Sequence, residues 1–352
     1  MKNFRVFKTV NSKRIIPGFS AKNLGVILLF LLLFPYLITF LFGNLREGTV
    51  GNGMSDNMTE QLTSGQYLVK NKTGMGEEIV PLEIYVADKL ARVADDNWEA
   101  EALKAQAVLI RTGLFRQMRQ NGTQDKYREK SGEEGVKVVG TNMEIQNGKI
   151  MIEAEDERYG SVPISDEVYQ AVAETAGLCV LFQDEPIMGA YFSVSNGATR
   201  SGADLGLEEY PYLKSVLCSR DFLAEDYSSS VSLREKEFWD IWESIPEFNV
   251  KSPSQADLAA EMIYTRDDAG YVLYLEYKGK RVAGENFRQA YQLASSCFHI
   301  SKDQGKVLIT VKGKGHGLGM SLYGARQLAA EGKSCVEIIE YFFTDVTIAK
   351  IE

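Results

Sequence analysis

Nine residues near the end of the chain, Gly313-Lys314-Gly315-His316-Gly317-Leu318-Gly319-Met320-Ser321, carry its densest chemical signal. Alternating glycines let a backbone turn tightly and approach a ligand closely. The run follows an apolar strand pattern at Val307 to Val311 and precedes a helical one, so free N–H groups at a helix start stand beside it. The chain has two histidines, and one of them sits in this loop. A lone histidine is usually structural, but one flanked by glycines on a strand-to-helix turn is better explained by a site. The loop is not a Walker loop, because Gly-Lys-Ser/Thr is missing at the required spacing, and GxGxxG alone is weak support. Cys179, Cys218, Cys297 and Cys335 show no CxxC spacing, so no metal and no cofactor is expected. Their even number permits two disulfides, while isolated thiols acting as small hydrophobes fit equally well.

Several elements must position that loop. Leu82 to Arg92 has apolar residues at helical spacing, and a firmer helix is predicted from Trp98 to Gln120, with Asn121-Gly122 as its stop. Residues 121–165 are charged and poor in aromatics, which predicts a long loop or small excursion. Strands are predicted at Leu178 to Phe182, Ile187 to Ser193, Tyr271 to Tyr277 with a turn at Lys278-Gly279-Lys280, and Val307 to Val311. Met320 to Glu331 reads as helix ending at Gly332, and Ser334-x-x-Glu337 is a capping box before Ile338 to Phe343. Trp98, Trp239 and Trp242 read as core. The plan is α+β: one mixed α/β domain over residues 78–352 without internal repeats.

The 352 residues carry a formal net charge of −9, which argues against a nucleic-acid partner, since phosphate binding needs clustered Lys and Arg. Basic residues gather at the start: Lys2, Arg5, Lys8, Lys13, Arg14 and Lys22, with no acid among them. Leu24 to Phe42 is then free of charge, and the uncharged stretch runs to Asn44. At helical rise it spans the hydrocarbon core of about 30 Å. It has no polar face, as a core helix would, and it ends on Phe40-Leu41-Phe42 rather than on small cleavage-site residues. It therefore reads as an uncleaved anchor over residues 24–44, following a cytoplasmic tail at 1–23. The positive-inside rule places the domain outside the cytoplasm, on a single-pass cell-membrane anchor. Residues 45–77, rich in Gly, Asn, Ser and Thr, read as a flexible stalk.

The loop segment GKGHGLGMSLYGARQLAAEGKS resembles the signature of stage II sporulation protein D and the related amidase-enhancer proteins. Three further segments agree in the same order: Glu101-Ala102-Leu103-Lys104-Ala105-Gln106-Ala107-Val108 with Arg111-Thr112, Ala190 to Thr199, and Pro211-Tyr212-Leu213. Coverage runs from about residue 78 to 345. The resemblance implies a sporulation or cell-wall protein that handles peptidoglycan glycan strands. It also implies a partner amidase and other membrane proteins of the engulfment machinery. By that resemblance the glycan cleft is formed by Gln106, Tyr191, Ser193, Ser195, Asn196, Gly197, Thr199, His316, Gly317, Gly319, Met320, Ser321 and Tyr323.

The resemblance further implies a lytic transglycosylase, in which one glutamate protonates the glycosidic oxygen and then acts as base. The family places that glutamate in a Glu-Met-Pro sequence. Aligned without a gap between Leu82-Glu83 and Glu101-Ala102, its position here falls on Val93, followed by Ala94 and Asp95. Leu322 and Asn196 replace a signature glutamine and glycine. The His-and-Cys metal loop of some members has no counterpart, because residues 121–178 contain neither type. A valine donates no proton, and losing a general acid costs about 10²- to 10⁴-fold. The expectation is a glycan binder that activates or scaffolds an amidase. The alternative is an active transglycosylase using Asp95 or Asp96, both short side chains in a turn.

Overall fold

The computed structural model describes residues 56–73, 76–95, 97–130, 145–146, 149–156, 158–246 and 262–351. The expected tail and anchor, residues 1–44, lie outside them. Among the described residues no helix is long and apolar enough to cross a membrane.

In chain order the domain begins with α1 (Asp56–Thr63), β1 (Tyr67–Thr73), β2 (Gly76–Pro81), α2 (Leu82–Ala91) and α3 (Ala100–Lys130). The segment expected as a stalk to residue 77 therefore carries a helix and a strand instead. Its polar composition conceals Leu62 and Val69, both fully buried. Helix α3 contains no proline and is buried on nearly every side between Ala102 and Phe115, with its polar members Gln106, Arg111 and Thr112 also buried and Arg111 paired with Glu83. It packs against α2, α4 (Asp166–Glu174), β5 (Leu178–Phe182), α7 (Leu322–Ala330) and α8 (Cys335–Phe342). The helix starts at Ala100 and continues past Asn121-Gly122 to Lys130, so those two residues do not stop it.

The expected excursion at 121–165 contains β3 (Ile145–Gln146) and β4 (Lys149–Glu155). Strand β4 lies parallel to β1, with Val69 opposite Ile152, and completes a sheet of order β2-β1-β4-β3. Alternation of Ile152 and Ala154 inward makes this a strand despite its charges.

A second core is built by β8 (Ser228–Arg234), α5 (Glu235–Ser244), β9 (Met262–Arg266), β10 (Val272–Tyr277), β11 (Lys280–Ala283), α6 (Gly284–Ala290), β12 (Phe298–Asp303) and β13 (Lys306–Lys312). Its centre is aromatic: Trp239, Trp242, Tyr277, Phe287 and Phe298 are buried together. Truncating one of the large rings to alanine costs about 3–5 kcal/mol in such settings. The β10–β11 hairpin turns through Lys278 (φ 48°) and Gly279 (φ 73°), two left-handed residues whose twist suits a two-residue hairpin.

The remaining strands are short. β5 pairs with β6 (Glu185–Pro186) and with β15 (Thr347–Lys350), and β7 (Tyr191–Phe192) pairs parallel with β14 (Met320–Ser321). The strand expected over Ile187 to Ser193 thus narrows to two residues. Likewise Met320 and Ser321 are strand, and Ser321 caps α7 by accepting the Gly324 N–H at 3.1 Å. The Ser334/Glu337 capping box forms at the start of α8 as expected.

Candidate functional site

The two signature segments are zipped together by backbone hydrogen bonds. Val194 and Lys314 exchange N–H groups at 3.0 and 2.7 Å, Arg200 N–H reaches the Gly317 carbonyl at 2.7 Å, and Met320 N–H reaches that of Ala190 at 3.0 Å. Tyr323 N–H closes the row on the Ser193 carbonyl at 3.1 Å. Glycine is required at two points of this seam. A Cβ at Gly319 (φ +74°) would stand 2.1 Å from the Ala190 oxygen, and one at Gly317 (φ +83°) 2.7 Å from the Tyr271 ring. The glycine spacing thus serves backbone-to-backbone contact.

Beneath the seam lies Asp221, fully buried, accepting Ser195 N–H at 2.7 Å and the Ser321 hydroxyl at 2.6 Å. Burial pushes its carboxyl up, and the hydrogen bonds from Ser321 and Ser195 oppose this. Arg200 braces the loop from the other side. Its guanidinium pairs with buried Asp267 at 2.6 Å, lies over the Tyr271 ring and donates to the His316 carbonyl at 3.4 Å. Spacing could not reveal Asp221, Arg200 or Asp267, whose partners stand 26 to 116 residues away.

This arrangement corrects several expected roles. Ser195, Thr199, Met320 and Ser321 are buried, as are Gly317 and Gly319, so they form the frame beneath the surface rather than the wall of a cleft. The Thr199 hydroxyl accepts the Val216 N–H at 2.9 Å. Asn196 turns toward the second core, donating to the Ala269 carbonyl at 2.6 Å and the Cys297 sulfur at 3.0 Å. Ser193, Gly197 and Tyr323 are half-buried at the edge.

His316 is exposed. Its Nδ1 accepts the Leu318 N–H at 3.1 Å, which leaves Nε2 to carry the proton of the neutral ring. Desolvation of the ring, which lies against Phe192, and the charges of Arg288 and Arg200 lower its pKa; Glu285 and the Tyr191 backbone act the other way.

Val93 follows the end of α2, where its N–H reaches the Leu90 carbonyl at 3.0 Å. It is half-buried and packs against the same apolar cluster as Trp98, Tyr191 and Leu318. Tyr191 is itself half-buried, and the Gln106 amide beneath it is fully buried. Gln106 approaches the Tyr191 hydroxyl without closing a well-formed hydrogen bond, and its Oε1 and Nε2 find no partner among the described residues.

Asp156 and Asp88 are committed to partners, whereas the Glu99 carboxylate has one buried oxygen without a partner among the described residues. Asp156 receives both Arg92 Nη groups, at 2.8 and 2.7 Å, and the Lys89 ammonium at 3.0 Å. The Arg92 hydrogen bonds hold its carboxyl well below the usual range. Asp88, also buried, takes the Gly160 N–H at 2.7 Å and an Arg92 nitrogen at 2.7 Å; burial pushes its pKa up. Asp95 is open to water and pairs with Arg326 at 3.2 Å. Asp96 lies outside the described residues. All four cysteines are free thiols. A cavity of about 200 Å³ elsewhere, lined by Leu62, Tyr67, Pro81, Phe115 and Ile351, contains none of the expected site residues.

A profile of the family described as Stage II sporulation protein matches residues 71–182, the span holding Val93, Gln106 and Asp156. Stage II sporulation protein D of Bacillus amyloliquefaciens is 32% identical over 282 residues, covering 78% of this chain and 76% of the relative. The chain belongs to the stage II sporulation protein D family. The Bacillus subtilis (strain 168) stage II sporulation protein D is 26% identical over 344 residues, or 94% and 96% of the two chains. An uncharacterized protein of Brachyspira hyodysenteriae is 23% identical over 315 residues, covering 87% of this chain and 77% of the relative. Within this chain the family profile thus spans the helical half of the site, and the glycine loop lies beyond it.

Proposed function

We propose that this protein is a membrane-anchored glycan binder of sporulation and cell-wall remodelling that activates or scaffolds a partner amidase and does not cut glycan itself. One observation carries the reading. At the position that the resemblance assigns to the acid stands the half-buried Val93, and the carboxylate whose charge acts on the Tyr191 phenol, Asp156, is locked to Arg92 and Lys89. A carboxyl held below the usual range is ionised at neutral pH and has no proton to donate to a leaving oxygen. Asp95, paired with Arg326 at the surface, is poorly suited to replace it. The uncharged stretch Leu24 to Asn44 behind a basic tail supports the anchor, with the domain outside the cytoplasm.

The test incubates the full-length protein, in mild detergent, with peptide-stripped glycan strands and looks for anhydro-ended fragments by mass spectrometry. A Val93→Glu variant runs beside it. The native protein is expected to bind strands and release nothing, and the variant to release fragments. Anhydro fragments from the native protein would overturn the reading.

A further inference from the structure

Several sheet edges in this domain are closed to further pairing. β2 carries Glu77 and Glu78 and ends on Pro81, and β11 is four residues long with Lys280 and Arg281. β9 is bridged to β12 by side chains: the Tyr264 hydroxyl accepts the Ile300 N–H at 3.0 Å, and the Arg266 guanidinium donates to the Phe298 carbonyl at 2.7 Å. Charge, proline, short length and cover are the usual means of keeping a strand edge from pairing with another chain.

Strand β8 has none of them. It lies at the edge of the β12-β13-β8 sheet, and its register runs unbroken from Ser228 opposite Lys312 to Arg234 opposite Lys306. No charge, proline or glycine falls between Ser228 and Leu233. The phase of the hydrogen bonds tells which backbone groups are open. Gly313 N–H reaches the Tyr227 carbonyl at 2.7 Å, whereas Lys312 N–H turns the other way, to the Cys297 carbonyl at 2.9 Å. By the alternation of an antiparallel ladder, Ser229, Val231 and Leu233 direct their backbone groups to β13, and Ser228, Ser230 and Ser232 direct theirs outward. The outward groups have no partner among the described residues. The open edge ends where the Arg234 N–H is taken by the Glu237 carboxylate at 3.0 Å.

This edge is its own complement. A two-fold axis at Val231 sets Ser230 of one copy opposite Ser232 of the other, so outward N–H and C=O groups meet outward ones. Val231 then meets Val231, and the half-buried Val231 and Leu233 continue the apolar face of the sheet. Each Arg234 stands opposite a neutral Ser228, so no like charges are opposed. We propose that β8 pairs antiparallel with β8 of a second copy across this axis, joining two three-stranded sheets into one. β13 runs directly into the glycine loop at Gly313, so the pairing sets two such loops at one spacing. The inference is independent of the glycan reading.

The test is sedimentation velocity on the full-length protein, in mild detergent, across a concentration series. The native protein is expected to dimerise. Ser230→Pro removes one outward N–H from each copy and no bond to β13, so thermal unfolding should stay near native while the dimer dissociation constant rises at least about tenfold. Two double variants keep the backbone N–H. Ser230→Lys with Ser232→Lys opposes like charges twice and should weaken the dimer similarly, whereas Ser230→Lys with Ser232→Glu makes two opposite-charge pairs and should keep it. A monomeric native protein overturns the assignment, whatever other chain the edge then takes. So does a dimer that Ser230→Pro and the two-lysine variant leave unchanged. Equal dimerisation of the two double variants overturns the axis at Val231.

Discussion

Arg92 grips Asp156 with both ends of its guanidinium, Nη1 to Oδ1 at 2.8 Å and Nη2 to Oδ2 at 2.7 Å, across 64 residues of sequence and immediately before Val93. The pair joins the end of α2 to the end of β4 and holds the Asp156 carboxyl below the usual range. The same contact therefore holds the fold and keeps the Asp156 carboxyl ionised.

Asp156 is nearly buried, so Asp156→Ala strands the Arg92 charge and should cost about 3–5 kcal/mol. Its folded pKa lies below its unfolded value of about 3.9. The stabilisation is thus fully present above that value and is lost as pH falls through the lower folded one. Urea unfolding from pH 7 to pH 2 checks both points. A variant with the native midpoint and native acid limb would contradict the account.

His316 predicts a second pH effect at a milder value. Its folded pKa is lowered, so between that value and about 6.5 the unfolded chain binds more protons than the folded one. Stability should be flat above pH 6.5 and decline below it. His316→Gln should remove this part of the slope. Denaturant midpoints between pH 5 and pH 8 decide it, and an identical slope in the variant would refute the role given to the ring.

Gly319 and Gly332 separate steric need from backbone strain. Both have positive φ, but a Cβ at Gly332 (φ +88°) meets nothing within 4 Å, whereas one at Gly319 meets the Ala190 oxygen. Gly332→Ala should cost about 1 kcal/mol from conformation alone. Gly319→Ala should cost at least about 2 kcal/mol more and weaken glycan binding, since it must open the seam. Equal losses in the two variants, read by thermal unfolding, would show that the close approach is unimportant.

Asp221 joins the two motif segments through Ser195 and Ser321, so Asp221→Ala leaves a buried N–H without an acceptor, at about 1–3 kcal/mol. Asp221→Asn keeps one acceptor and should lose less. Hydrogen exchange at the Ser195 amide is the direct readout. Native protection in Asp221→Ala would mean the bond does not secure the loop.

Much of the frame is legible residue by residue. The proline-free, largely apolar run from Ala102 to Phe115 marks a central helix, Lys278-Gly279 marks a hairpin, and Ser334 with Glu337 marks a helix start. Each signal is local, because it rests on backbone preferences or on neighbours within one turn. Strand β4 is not legible, since its partner β1 lies some eighty residues away and its charges resemble those of a loop.

By itself, the sequence determined the central helix and the glycine-histidine loop, and through the family resemblance it raised the expectation that Val93 stands at the acid position. It could not determine which polar residues face outward. Ser195, Thr199 and Ser321 look like ligand-binding hydroxyls in the motif, yet the tertiary structure buries them. Asp156 looked unremarkable until folding set it against Arg92, the residue before Val93. Burial and ion pairing depend on residues far apart in the chain, and only packing brings them within the few ångströms over which hydrogen bonds and desolvation act.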